Sequence, residues 1–350
     1  MTALAEILRG RIAQDGPMTV ADYMAECLMH PAHGYYTTQT PFGAKGDFTT
    51  SPEISQMFGE LLGLCLAQGW LDQGAPARFT LAELGPGRGT LMADALRATR
   101  GVPGFHAAMR LVLHEASPAL RAEQAKALAG YAPQWIDGIE ALPEAPLFLV
   151  ANEFFDALPI HQYENRGGVW HERVIGLQDG ALALGLAPDP GPSAPDPRFA
   201  GDGPGTVVET CPAARPYLDA ITARLARHGG LALLIDYGGW GSKGDTLQAM
   251  KGHAFADPLA EPGRADLTAH VDFEALAQGW PQHHYTTQGA FLTALGIDAR
   301  AARLAQGLSG AALENHLAAH RRLTQGQEMG SLFKVLALTG PDAPPPAGFD

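Results

Sequence analysis

The stretch Phe79-Thr-Leu-Ala-Glu-Leu-Gly-Pro-Gly-Arg-Gly-Thr90 limits what this chain can fold into more than any other. Phe79–Leu84 is an apolar run of strand length, and Leu91–Arg100 carries a helical pattern. Gly85, Gly87 and Gly89 stand on alternate positions in the turn between them. A strand that breaks into glycines and then a helix is how a nucleotide-like cofactor is held. Glycine takes backbone angles that a side chain forbids, and it lets a ligand come up against the main chain. The dinucleotide fingerprint spaces its glycines G-x-G-x-x-G, so that a helix N-terminus receives a pyrophosphate. Here the spacing is E-x-G-x-G-x-G, and Glu83 at the strand end suits a cationic ligand without phosphate. A plain glycine-rich turn in another α/β domain has the same local sequence, so the remainder of the chain has to decide.

Further buried strands are expected at Met109–His114, Leu147–Ala151, Leu231–Ile235 and 330–338, with helices between them, which is the pattern of a parallel sheet in an α/β fold. Glu115 ends the second strand, near the separation at which an acid reaches a ribose diol; the alternative is an exposed acid at a strand end. Two carboxylate oxygens can take both hydroxyl protons of a diol. Ser117-Pro118 starts a helix through Leu128, and in Trp135-Ile136-Asp137 the isoleucine suits the face of an adenine while the acid accepts from its amino group. Leu147–Ala151 runs into Asn152-Glu153-Phe-Phe-Asp156. Ligands of open α/β sheets sit beyond the carboxyl ends of the strands, so chemistry is expected here, against the alternative of a helix capped by Asn152 with two exposed acids.

The first 75 residues read as a helical cap: an amphipathic helix around Leu4, Ile7, Leu8 and Ile12, a second over Thr19–Leu28, a long loop from Pro41 to Glu53, and a helix over Ile54–Trp70 with Ser51 as its cap. The α/β part then spans 76–340, with insertions at about 160–210 and 240–325 and a disordered Pro-rich tail at 341–350. Within the insertions, 160–186 alternates as a β-hairpin, 187–205 is a Pro/Gly/Asp-rich surface loop, and His270 and Asp272 either pair as a general base or cap a short helix. Cys27, Cys65 and Cys211 are scattered, without the spacing of a zinc site or disulfide framework. His30 and His33 lack neighbours that would make them metal ligands, so no metal is expected. The formal charge of −13 gives no reason to bind nucleic acid or an anionic membrane and favours a basic partner. No apolar run reaches spanning length, and the N-terminus lacks a signal-peptide core and carries acids unlike a presequence, so a cytoplasmic, bacterial protein is expected.

The E-x-G-x-G-x-G turn resembles that of class I S-adenosylmethionine (SAM) methyltransferases. Most of the chain resembles the MidA-like methyltransferases, the family of the mitochondrial complex I assembly factor that methylates an arginine. The resemblance is carried by Gly34-Tyr-Tyr36, Gly46-Asp-Phe-Thr-Thr-Ser-Pro-Glu-Ile-Ser-Gln-Met-Phe-Gly-Glu60, Glu83-Leu-Gly-Pro-Gly-Arg-Gly-Thr90, Asn152-Glu-Phe-Phe-Asp-Ala-Leu-Pro159, Asp236-Tyr-Gly238 and Asp266-Leu-Thr-Ala-His-Val-Asp-Phe273. It implies a class I (Rossmann-like) fold, SAM as cofactor, and symmetric arginine dimethylation on the 49-kDa-type subunit of NADH:ubiquinone oxidoreductase; relatives in eukaryotes act in the mitochondrial matrix. Glu83, Gly85, Pro86, Gly87, Gly89, Thr90, Glu115, Ser117, Ile136, Asp137 and Asn152 are then the expected cofactor residues. Glu153 and Asp156 are the expected clamp for a guanidinium, with Asp266, His270 and Asp272 as a second wall or proton acceptor. Two rivals compete with this reading: a SAM-binding assembly chaperone that transfers little or nothing, and a nicotinamide oxidoreductase, against which the missing G-x-x-G step counts.

Overall fold

The computed structural model describes residues 2–38, 50–191 and 194–349. Of the loop expected from Pro41 to Glu53, residues 41–49 lie outside them, and its end, from Ser51, is helical. The chain divides into two compact units, each built from non-contiguous segments.

The larger unit comprises Thr49–Phe155, Pro216–Gly238 and Ala275–Asp350. Its elements, in chain order, are α1 (Ser51–Ile54), α2 (Gln56–Asp72), β1 (Phe79–Leu84), α3 (Thr90–Ala98), β2 (Met109–His114), α4 (Pro118–Ala127), β3 (Gln134–Ile136), β4 (Leu147–Asn152), α5 (Arg215–His228), β5 (Gly230–Gly239), β6 (His283–Thr287), α6 (Gln288–Ala294), α7 (Ile297–Ala305), α8 (Gly310–Thr324) and β7 (Phe333–Thr339). The strands lie in the order β6-β7-β5-β4-β1-β2-β3. β1 to β5 are mutually parallel, whereas β7 runs antiparallel to β5 and β6 antiparallel to β7. Every residue of β1 and of β4 is buried, as continuous apolar strands covered on both faces must be. β1 feeds β2 on one side, and the chain later returns to β4 on the other. The sheet order therefore reverses between β1 and β4, which is the switch point where α/β sheets bind ligands. Trp70, Phe79, Phe105 and Phe148 fill the core below, with the Phe79 and Phe105 rings 4.9 Å apart.

Where this unit departs from the sequence reading, local chemistry explains it. The helix expected over Ile54–Trp70 breaks at Ser55, whose extended backbone lets its hydroxyl accept from Met57 N–H; Ser55, not Ser51, caps the long helix. α7 and α8 are separate helices, with Gly307 and Gly310 both at positive φ where one ends and the other begins. His283 and His284 begin the edge strand β6.

The smaller unit comprises Met1–Phe48, Asp156–Arg215 and Gly239–Glu274. Helices Ala3–Asp15 and Val20–Met29 bury Leu4, Leu8, Ile12, Tyr23 and Met24 together with Ile160 and Ile175. The excursion expected as a hairpin is a larger antiparallel sheet: Val169–Gln178 pairs with His161–Arg166, Ala181–Leu186 and Met18–Thr19, and His161–Arg166 also pairs with Val207–Thr210. The loop expected over 187–205 has more order than its composition implied. Phe199 is fully buried with Trp170 and Val208, and one aromatic ring in a polar segment is enough to seat it.

Candidate functional site

The turn after β1 has the backbone its glycines were expected to supply. Gly85, Gly87 and Gly89 have φ of 62°, 52° and 82°, a region that L side chains avoid. At Gly85 a second constraint acts, because an added Cβ would lie 2.9 Å from the Phe154 ring. That glycine therefore also makes room for the loop after β4. Gly89 N–H bonds to Pro86 O (2.8 Å), which closes the turn onto the N-terminus of α3.

Three acids stand at the carboxyl ends of adjacent strands. Glu83, on β1 opposite Val150 of β4, is buried, and its Oε2 has no hydrogen-bond partner among the described residues. Burial first, then the charge of Glu115, pushes its carboxyl up to about 8. Glu115 is also raised by burial, but it is partly satisfied: Oε1 accepts from Ser117 N–H (2.8 Å) and Oε2 from Gln124 Nε2 (3.1 Å). Ser117 caps α4 with its hydroxyl and orients Glu115 with its amide. The same Gln124 donates to Gly87 O (2.7 Å) and accepts from Trp135 Nε1 (2.8 Å), so it ties the glycine turn, Glu115 and β3 together. Nothing in the sequence pattern singled out Gln124. Ile136 is half-buried on β3, and the exposed Asp137 accepts from Arg121 Nη2 (2.5 Å).

Beyond β4 no helix begins, so Asn152 is not a helix cap. Its Nδ2 donates to Glu153 Oε1 (2.9 Å), and its Oδ1 is buried without a partner among the described residues. Glu153 has φ of 52°, uncommon for a residue other than glycine and a form of strain concentrated at functional sites. Ser51 N–H donates to the same Oε1 (3.1 Å). Burial raises the Glu153 carboxyl, and these two hydrogen bonds oppose the rise. Asp236, at the end of β5, holds the loop in place by accepting from Phe154 N–H (3.2 Å) and Phe155 N–H (3.0 Å). The structure thus brings Glu83, Glu115, Asn152 and Glu153 to one edge of the sheet.

The other expected catalytic residues belong to the smaller unit. Asp266 Oδ1 accepts from Tyr36 Oη (2.9 Å), and Asp156 lies near enough to add to the rise of the buried Tyr36 hydroxyl, whose main cause is desolvation. His270 N–H donates to Thr246 Oγ1 (2.8 Å). Asp272 takes the capping role, its Oδ1 accepting from Glu274 N–H (3.1 Å). It also pairs with Arg198 (2.9 Å), which holds Asp196 and Glu274 as well. Arg198 escaped the sequence reading because it sits in the segment taken for a surface loop.

Comparison with known proteins agrees with this geometry. Residues 61–290 match a family of S-adenosyl-L-methionine-dependent methyltransferases. The chain is 36% identical, over 96% of its length and 84% of the relative's, to a mitochondrial protein arginine methyltransferase homologue of Drosophila melanogaster. It is 37% identical, over 97% of its length and 84% of the relative's, to the mitochondrial protein arginine methyltransferase NDUFAF7 of Mus musculus. Among solved structures it is similar to a COG1565 superfamily member of Burkholderia thailandensis bound to S-adenosyl-homocysteine, with a TM-score of 0.83, 32% identity, and coverage of 99% of this chain and 92% of that one. S-adenosyl-L-methionine is therefore the cofactor, and the residues present fit it. A cation-bearing ligand supplies the donors and positive charge that the buried Glu83 Oε2 and Asn152 Oδ1 lack, and no phosphate-binding cluster of basic side chains is needed.

Proposed function

We propose, from the premise that this chain belongs to the MidA-like family of S-adenosyl-L-methionine-dependent methyltransferases, that its acceptor is a protein arginine and that Glu153 is the group that receives it. The observation that carries the reading is the state of Glu153. It is an acid held at positive φ, half-buried, with its two hydrogen-bond donors among the described residues both on Oε1, at the switch point of the sheet.

The cofactor supplies an electrophilic methyl group next to the glycine turn. When it is bound, Glu83 and Asn152 would balance its positive end, Glu115 would take the ribose hydroxyls, and Ile136 with Asp137 would border the adenine. A guanidinium is protonated at neutral pH and presents a planar fork of N–H donors that a carboxylate matches. Oε2 of Glu153 accepts from that fork and withdraws proton density from the attacking nitrogen. Because methylated guanidinium stays cationic, one N–H proton has to leave during transfer, and a carboxyl raised by burial is suited to hold it. Fixed placement of acceptor and donor supplies the larger share of the rate. Asp156 and Asp266 supply a second acidic set that favours a basic segment, with His270 as a proton acceptor, whereas Asp272 is engaged by Arg198 and by the Glu274 amide. In its finest form the reading is symmetric dimethylation of an arginine in the 49-kDa-type subunit of NADH:ubiquinone oxidoreductase during assembly, as the MidA-like resemblance implies.

Glu153→Gln is expected to leave S-adenosyl-homocysteine binding within about twofold and to cut arginine methylation by at least about 10²-fold, the scale of lost acid-base catalysis. Mass spectrometry of the 49-kDa-type subunit from cells carrying each form reads the second quantity. Equal loss of binding and transfer would assign Glu153 to the cofactor. Unchanged methylation would remove it from the mechanism, and complete respiratory-complex assembly without methylation would favour the chaperone.

A further inference from the structure

The segment Thr50–Ser55 touches both halves of the site in the larger unit. Ser51 N–H reaches Glu153 Oε1 at 3.1 Å. Two residues on, the Glu53 carboxylate turns the other way: its Oε1 accepts from Thr90 Oγ1 (2.6 Å) and its Oε2 from Arg88 Nη1 (3.4 Å). Arg88 and Thr90 flank Gly89, the last glycine of the cofactor turn. The segment is itself anchored. Ser51 is fully buried, with Oγ donating to Gln288 Oε1 (3.3 Å), and Gln288, also fully buried, donates from Nε2 to Leu323 O (3.0 Å). Ile54 packs against Tyr237, Met329 and Phe333, and the backbone then enters α2 through the Ser55 cap. Thr90 stands among the expected cofactor residues, and its hydroxyl donates to Glu53.

We infer that Glu53 is a positioning residue for the cofactor turn, and that Thr50–Ser55 is a strap holding the turn and Glu153 in one mutual geometry. A turn whose glycines all sit at positive φ has few side chains of its own to fix it. A hydroxyl and a guanidinium on either side of Gly89, bound to one carboxylate, remove the freedom that glycine leaves. The carboxylate needs no contact with the cofactor to do this, because it acts through Thr90 and Arg88. The link to Glu153 rests on the reading of that residue given above; the link to the turn does not.

The test uses the full chain and S-adenosyl-homocysteine as the titrant in calorimetry. Glu53→Ala should weaken binding about five- to tenfold, the worth of one charge-assisted hydrogen bond. Glu53→Gln keeps an acceptor for Thr90 and should recover most of that loss. Thr90→Val should weaken binding to a similar degree, and the double variant Glu53→Ala/Thr90→Val should be no weaker than the poorer single variant, because both remove the same bond. Binding by every variant within twofold of the parent would overturn the proposal, as would additive losses in the double variant. Failure of the parent itself to bind would instead count against the cofactor assignment. Thermal melts of each variant separate loss of fold from loss of the bond: Glu53→Gln that melts as the parent yet binds no better than Glu53→Ala also overturns it.

Discussion

Glu83 is an acid whose second oxygen is sealed inside the protein with no donor among the described residues. Its carboxyl, pushed up to about 8 by burial and by Glu115, is mostly protonated at neutral pH in the free protein. The direction of the consequence follows from linkage. An acid with a raised folded value costs stability as pH rises from the ordinary carboxylate range to about 8, because the native state holds its proton longer than the unfolded chain does. A cationic ligand prefers the ionised form, so affinity for S-adenosyl-L-methionine should climb with pH and level off above about 8. Glu83 and Glu115 interact, so the observed midpoint belongs to the pair. Calorimetric titrations from acid to alkaline pH check this, and Glu83→Gln should flatten the rise and lower the plateau about tenfold, as loss of a buried charge-assisted bond does. A flat profile in the parent protein would mean that Glu83 does not meet the cation. The location of this acid was legible, because an apolar run followed by alternate glycines admits few structures. Its isolation was not: the orphan oxygen depends on what β2 and β4 fail to offer across the strand, and no local pattern records that.

The helix pair α2 and α3 shows what the elements contribute beyond residues. Gly59 and Gly63 are four apart and so lie on one helical face. A Cβ on Gly59 would stand 2.7 Å from Leu91 O, and one on Gly63 would stand 2.6 Å from Ala95 Cα. Both obstacles are backbone, which cannot step aside as a flexible side chain can. α3 therefore starts at the cofactor turn with its axis fixed by direct contact with α2, reinforced by Arg97 and Arg300 on the buried Glu60. Gly59→Ala should cost about 1–3 kcal/mol, the range of overpacked cores, and should weaken S-adenosyl-homocysteine binding in parallel, since the helix it displaces carries Thr90. Gly10→Ala is the control: nothing lies within 4 Å of its added Cβ in helix Ala3–Asp15, so it should be neutral or stabilising by up to about 1 kcal/mol. Chemical denaturation of both variants checks the contrast, and equal behaviour would refute the packing argument. The long helix itself was readable from its apolar pattern. Its break at Ser55 was not, because an extended residue whose hydroxyl caps the helix leaves the apolar pattern on either side unchanged.

At the scale of the molecule, the chain passes between its units after Phe48, Phe155, Arg215, Gly238 and Glu274, and no Gly/Ser-rich composition marks the crossings at Phe155, Arg215 and Glu274. Sequence reading detects boundaries by such composition, so units assembled from interleaved segments leave little to detect. Charge is a whole-chain property that survives this interleaving. The formal value of −13 comes from 37 acids against 24 lysines and arginines. A net field of that sign draws in a basic segment before any specific contact forms, and salt screens it over about 10 Å at 0.1 M. If the acceptor is an arginine in such a segment, raising salt from about 0.05 to about 0.5 M should increase KM for the protein acceptor several-fold and leave kcat nearly unchanged, because the reaction at Glu153 occurs after capture and within contact distance. The affinity for S-adenosyl-homocysteine, held by buried groups, should move much less over the same range. Steady-state rates with the isolated subunit as acceptor separate these terms. A salt effect on kcat alone, or a KM indifferent to salt, would mean that recognition rests on shape and short-range bonds and that the acidity of this chain plays no part in finding its acceptor.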